Sequence, residues 1–308
     1  MIEVDNLTKS YDGYWAVRGV SFHVGEGDIF GFIGPNGAGK TTSIRIISTL
    51  LEPSSGTVTV GGRNVVGDAE AVRRLIGFMP DNFGVYDRIT VWEYLDFFAA
   101  AYGLERRQRA ASIEGILELT DLNGLRDRLT GDLSKGMRQR LCLAKTLVHD
   151  PKVLILDEPA NGLDPRARIE FRALLKELRA MGKTILISSH ILTELSDVCT
   201  SVAILEKGKV VTSGSIESIK AALQPGLAFR LDVLGGAGAA RGVLESLPQV
   251  TAVRADGDSL HFQFGGARDR IPELVRALVA RDVAITGLQE EKTDLESLFM
   301  RLTKGEVS

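Results

Sequence analysis

Residues 34–41 read Gly-Pro-Asn-Gly-Ala-Gly-Lys-Thr, and no other stretch constrains the fold as much. The pattern is G-x-x-x-x-G-K-[ST], a phosphate-binding loop, set between an apolar run, Ile29 to Ile33, and a helical stretch starting near Lys40. A strand that feeds a glycine-rich turn and then a helix lets backbone N–H groups point inward at phosphate oxygens. The helix N-terminus adds partial positive charge. The expected nucleotide contacts run through Gly34, Pro35, Asn36, Gly37, Ala38, Gly39, Lys40, Thr41 and Thr42. Lys40 is expected at the β- and γ-phosphates, with the Thr41 hydroxyl on Mg²⁺. The loop implies a nucleotide but does not say which reaction follows.

A second stretch narrows the chemistry. Val153-Leu154-Ile155-Leu156 is a short apolar run that ends in Asp157-Glu158-Pro159. Such a run reads as a buried parallel strand, and open α/β sheets place their ligands at the C-terminal ends of these strands. Asp157 is then placed to join a Mg²⁺ shell, and Glu158 to polarise an attacking water. Just upstream lies Leu133-Ser134-Lys135-Gly136-Met137-Arg138-Gln139-Arg140. Ser134 is a good N-cap for a helix whose apolar positions Met137, Leu141, Ala144 and Leu147 recur at helical spacing, and that helix N-terminus is a candidate anion site.

These residues resemble the ATP-binding cassette (ABC) ATPases, whose signature is LSGGQ. The phosphate loop, the LSKGM segment and the LILDEP strand occur in the family's order and spacing. Asn161-Gly162-Leu163-Asp164 looks like its D-loop, His190 at the end of Thr184 to Ser189 like its switch histidine, and Tyr11 like the aromatic that stacks on adenine. The likeness covers about residues 1–222. It implies ATP and Mg²⁺ as ligands and a head-to-tail dimer, homo- or heteromeric, that sandwiches two ATPs. Ser134, Lys135, Gly136 and Met137 would meet the partner's ATP, His190 would join Glu158 at the γ-phosphate and attacking water, and Asp164 would link the two sites. The phosphate-loop region, the LSKGM variant and the tail Asp294 to Phe299 resemble the drug- and sodium-exporter branch, whose ATPases energise a separate membrane permease.

The chain departs from that pattern at three positions. Asp81 stands where the family has a glutamine that touches Mg²⁺ or water, with Asn82 one position late. Lys135 replaces a glycine of the signature, and Met137 its glutamine. Asp81 brings a negative charge toward an anionic centre and is a candidate metal ligand, since hard cations favour oxygen. For Lys135 two placements stay open, toward the partner's phosphates or toward solvent.

The expected organisation is an α/β nucleotide-binding domain over residues 1–223, with a helical subdomain at about 85–150, followed by a small regulatory or dimerisation domain over 224–308. In the helical part, Trp92, Tyr94, Phe97 and Phe98 are assigned mostly to packing. Arg106-Arg107-Gln108-Arg109 reads as a solvated helix face. After Gln224-Pro225-Gly226 the pattern becomes strand 229–233, helix 239–247, a hairpin of 250–254 with 260–264 around Asp256-Gly257, helix 271–278 and strand 283–287. That βαββαβ order points to a ferredoxin-like α+β domain. Thr293 to Glu296 reads as a capping box for a last helix, 295–302.

No apolar run approaches the ~20 residues needed to span a bilayer, so a transport path requires another polypeptide, an integral membrane permease. The expected location is cytoplasmic, peripheral at the membrane. The chain carries a formal net charge of −3, which argues against nucleic acid as a partner. Cys142 and Cys199 lack metal spacing and read as buried thiols. The rival reading is a soluble ABC ATPase acting on ribosomes or DNA. The single cassette and a gap of only 117 residues (157 − 40) between Lys40 and Asp157 speak against it. A GTPase or small-molecule kinase would leave the signature segment unexplained, and no N-K-x-D motif is present.

Overall fold

A computed structural model describes residues 1–191, 195, 197–223 and 227–291. Among the described residues the chain divides into two compact units, one over Met1–Ile216 and a second that starts at Glu217 and reaches Glu291. The capping box at Thr293 and the helix expected over 295–302 lie outside the described residues.

The first unit is built on two sheets. A six-stranded sheet runs in the order β10 (Lys209–Ser215), β9 (Ser201–Glu206), β3 (Ile29–Ile33), β8 (Thr184–Ser189), β7 (Val153–Leu156), β6 (Ile76–Met79). All neighbours are parallel except the β9–β10 hairpin. Its inner strands β3, β7 and β8 are buried at every residue, which explains their unbroken apolar runs. A second, antiparallel sheet has the order β2 (Tyr14–Val24), β1 (Ile2–Tyr11), β4 (Ser55–Val60), β5 (Arg63–Asn64). One core joins both: Phe22 stacks on Phe30 at 5.1 Å, and Ile44, Ile46 and Ile47 of helix α1 (Lys40–Ile47) belong to the same cluster.

The intervening helices are α2 (Ala69–Leu75), α3 (Val91–Ala101), α4 (Arg106–Leu119), α5 (Lys135–Leu147) and α6 (Pro165–Ala180). Helix α3 starts at a reciprocal cap: the Glu93 N–H donates to Thr90 Oγ1 at 3.1 Å, and the Thr90 N–H donates to Glu93 Oε2 at 2.8 Å. Its buried stripe is Val91, Tyr94, Leu95 and Ala99. Phe97 falls off that stripe and is 52% exposed, so it does not pack inside as its aromatic character suggested. It meets the exposed Tyr86 edge-on at 5.8 Å. Arg106, Arg107 and Gln108 are solvated as expected, but Arg109 is half-buried and pairs with Asp96 at 2.9 Å.

Cys142 is buried, and desolvation pushes its thiol up to about 11. Cys199 is only half-buried as a residue. Its sulfur nevertheless faces Gly31 of β3, and desolvation pushes that thiol upward too. His149 is structural: Nε2 lies 2.9 Å from the Ile76 carbonyl, and the ring stacks on Tyr102 at 3.7 Å.

The second unit begins within α7 (Ile216–Leu223). It contains β11 (Leu227–Val233), α8 (Ala237–Ser246), β12 (Val250–Asp256), β13 (Ser259–Phe264), α9 (Ile271–Val279) and β14 (Ile285–Glu291). The sheet order β12-β13-β11-β14, antiparallel throughout, is that of a ferredoxin-like βαββαβ fold. Alternate residues Phe229, Leu231, Val233, Leu260, Phe262 and Phe264 pack on Ala240, Leu244, Leu274 and Leu278 of the two helices. Strand β14 starts two residues later than its apolar pattern suggested.

Candidate active site

The phosphate loop leaves the C-terminal end of β3, in the middle of the parallel sheet. Gly37 and Gly39 have φ of 81° and 96°, which ordinary side chains resist. Gly39 is also the N-cap of α1, and a β-carbon there would come within 2.5 Å of the Ala16 carbonyl. Lys40, 5% exposed, curls back over the loop: Nζ donates to the carbonyls of Gly34 at 2.7 Å and Pro35 at 3.2 Å. It also lies 3.3 Å from Glu158 Oε1.

Strand β7 delivers the carboxylates. The Asp157 N–H extends the ladder to the Met79 carbonyl of β6 at 2.9 Å. Its carboxylate is buried, accepts from Ser188 Oγ at 2.6 Å, and bonds the Thr41 hydroxyl. No Lys or Arg among the described residues pairs with it. Burial therefore pushes its pKa above the ordinary carboxylate value, outweighing the hydroxyl bonds, and the negative charges of Glu158 and Asp81 push the same way. Glu158 sits at φ 49°, a conformation that costs a non-glycine residue free energy. It is held there by its N–H, which donates to Ser188 Oγ at 2.8 Å, and by its carboxylate, whose Oε2 lies 2.8 Å from His190 Nδ1. The carboxylate thus spans Lys40 and His190 in one chain.

One cavity of about 640 Å³ gathers most of the expected residues: Tyr11, Asn36, Gly37, Gly39, Lys40, Thr41, Thr42, Asp81, Glu158 and His190 line it. Asp157 lies behind that surface. Asp81 lines the wall opposite no cation of its own. Its donors are amides, Asn82 Nδ2 at 3.2 Å and Asn161 Nδ2 at 3.4 Å. Ser134, Lys135, Gly136 and Met137 do not line this cavity. They form the N-cap and first turn of α5, with Ser134 and Lys135 exposed and Gly136 and Met137 half-buried, and Ser134 Oγ accepts from the Met137 N–H at 3.3 Å. Asp164 likewise stands apart and caps α6, accepting from the Ala167 N–H at 2.9 Å. Sequence reading missed Ser188, whose hydroxyl holds both acidic residues. The available signal was a small polar residue closing an otherwise apolar strand. It also missed Tyr14, which shares the cavity wall.

Residues 17–161 match the family described as ABC transporter. The chain is 41% identical over 205 residues to the ABC transporter ATP-binding protein NatA of Bacillus subtilis (strain 168), covering 66% of this chain and 83% of NatA. It belongs to the ABC transporter ATP-binding protein family. The chain is also 39% identical over 214 residues to the Nod factor export ATP-binding protein I of Paraburkholderia xenovorans (strain LB400), 70% of each. A solved structure of the ATP-binding subunit of an ABC transporter superposes with a TM-score of 0.66 at 32% identity, covering 72% of this chain and 92% of that one. This ABC protein is accordingly an α/β nucleotide-binding ATPase with an added α+β unit. It binds ATP and cleaves it to ADP and phosphate. Among the described residues no helix is long and apolar enough to cross a membrane.

Proposed function

We propose that this ABC ATPase is the motor of an exporter whose permease is a separate membrane polypeptide, and that it works as an ATP-closed dimer at the cytoplasmic face. The observation that carries the reading is the Lys40–Glu158–His190 constellation at the mouth of the phosphate loop. The name of the Nod factor export relative supports the direction.

In this reading Lys40 leaves the Gly34 and Pro35 carbonyls for the β- and γ-phosphates, which frees Glu158 Oε1. Glu158 accepts the proton of the attacking water, and His190 orients the carboxylate through the bond at Oε2. Tyr11, 42% exposed at the cavity rim, offers a face to the adenine. Asp157 and the Thr41 hydroxyl are hard oxygen donors in contact with one another. The buried carboxylate lacks a cation, so the pair fits Mg²⁺. When bound, the ion would neutralise charge on the phosphates. Among the described residues no cluster of three or more His, Cys, Asp or Glu could hold a metal, so in this reading the ion takes its remaining ligands from phosphate and water. Ser134, Lys135, Gly136 and Met137 would meet the ATP of a second subunit, and Asp164 would sit at the seam.

The test is an affinity pull-down from solubilised membranes with tagged Glu158→Gln protein and ATP. That variant is expected to bind ATP, to lose hydrolysis by roughly 10³-fold, and to bring down a polytopic membrane protein. Recovery of ribosomal or DNA-bound proteins instead would replace the motor reading. Unimpaired turnover would remove Glu158 from the base role.

A further inference from the structure

Two of the positions at which this chain departs from the family pattern are charged, and both touch one turn. Aspartate stands at 81 in place of glutamine and lysine at 135 in place of glycine. Asn161 Nδ2 donates to Asp81 Oδ1 at 3.4 Å. One residue on, a β-carbon placed on Gly162 would land on Nζ and Cε of Lys135, so the lysine stem lies along the bare glycine. Gly162 has φ 72°. The turn begins at the catalytic carboxylate: the Asn161 N–H donates to the Glu158 carbonyl at 3.0 Å, and the Leu163 N–H to the Ala160 carbonyl at 3.2 Å. It ends at Asp164, the cap of α6.

Neither charge has an opposite charge paired with it among the described residues. Lys135 is the first residue of α5, where the positive pole of the helix disfavours a cation, and the first turn holds no acidic residue to compensate. Asp81 shares the wall with Glu158, with Asp157 behind it, around a cavity whose lysine, Lys40, is already engaged by Glu158 and two carbonyls. A carboxylate bonded by amides on the cavity side of a turn, and a cation at the positive pole of α5 on its other side, share only that turn.

We propose that Asp81 and Lys135 are positioning residues that clasp the 161–162 turn and so fix Glu158 relative to Asp164. Only the link to hydrolysis through Glu158 rests on the proposed function; the clasp itself is a property of the free chain. Because Asp81 faces the nucleotide cavity, whatever draws its carboxylate inward loosens Asn161, and Lys135 loses its seat over Gly162.

The experiment is amide hydrogen exchange at Asn161 and Leu163 in the nucleotide-free full chain, comparing wild type with Asp81→Ala, Lys135→Ala and the double variant. Asp81→Asn, which keeps an acceptor for Asn161, and Lys135→Met, which keeps the stem, guard against misfolding and separate contact from charge. Each alanine variant should speed exchange by about tenfold. The double variant should add little beyond either, because both act on one element. Asp81→Asn should restore slow exchange. Across the series kcat for ATP should fall with faster exchange, and KM should move less than kcat. Wild-type exchange rates in both alanine variants, or effects that simply add in the double, would overturn the clasp. Unimpaired turnover in Glu158→Gln would overturn the functional reading instead and leave the exchange result standing.

Discussion

The two units treat charge in opposite ways. In the C-terminal sheet several charges have partners of ordinary kind. Arg230 bonds Asp232 at 2.9 Å, Ser259 also donates to Asp232, and His261 Nδ1 lies 2.9 Å from Glu291. The Ser259 hydroxyl and then Arg230 hold Asp232 below the usual carboxylate range. At the strand ends of the parallel sheet, by contrast, a carboxylate is buried without a cation, a glutamate is held at positive φ, and a lysine is satisfied by backbone carbonyls. Groups held at a cost in free energy are groups kept for something that arrives later. The first unit thus concentrates its costly groups at the strand ends beside the phosphate loop, whereas the described residues of the second hold theirs in ordinary pairs.

The largest effect should come from the site. Lys40→Ala removes the ammonium that closes the loop and leaves Glu158 Oε1 without its partner. ATP affinity should fall by about 100-fold, the scale of a lost charge-assisted phosphate contact in a sheltered site. Titration with a fluorescent ATP analogue reads this directly. Wild-type affinity would place the nucleotide elsewhere and erase the contrast between the two units.

A smaller effect probes the scaffold. Leu231 is fully buried between β11's neighbours and the two helices. Leu231→Ala should cost about 3 kcal/mol of stability in the second unit. Calorimetry should show a transition that moves down while ATP affinity holds. If ATP binding weakens in parallel, the two units are energetically one body and the contrast between site and scaffold fails.

What sequence revealed followed the range of the forces involved. The phosphate loop was legible because glycine spacing, lysine and the following helix act within ten residues. The βαββαβ order was legible because strand alternation and helical periodicity are also local. Ser188 was not. Its hydroxyl reaches Asp157 and Glu158 only because β7 and β8 lie side by side, with Leu156 paired to Ile187. Phe97 carried the right residue type on the wrong face of α3. The contact from Asn161 to Asp81 spans 80 residues and depends on β6 pairing with β7. The break in β12, where Ala252 takes φ 54° and the register shifts between Thr251 and Arg254, leaves no mark in the alternation.

The smallest effect is the sharpest statement of the comparison, because it runs against intuition for an active-site residue. Asp157 has a folded-state pKa raised above its unfolded value, chiefly by burial. Folding therefore takes up a proton between those two values. Stability of the nucleotide-free protein is greater below the ordinary carboxylate pKa and is lost as pH rises through the raised one, so at neutral pH the ionised carboxylate is a net burden. Asp157→Asn keeps an acceptor for Ser188 and removes the charge. It should raise Tm at neutral pH by about 2 °C and flatten the acid-side dependence, while ATP hydrolysis is lost. The matching change in the scaffold, Asp232→Asn, should do the reverse, because that carboxylate is held below its usual range by its partners. Its stabilisation is present above the ordinary carboxylate pKa and disappears as pH falls through the depressed one. Thermal melts of the two variants across pH 3 to 7, without nucleotide, measure both signs at once. Equal signs would mean that the parallel sheet holds its acidic centre no more expensively than the antiparallel sheet holds its surface.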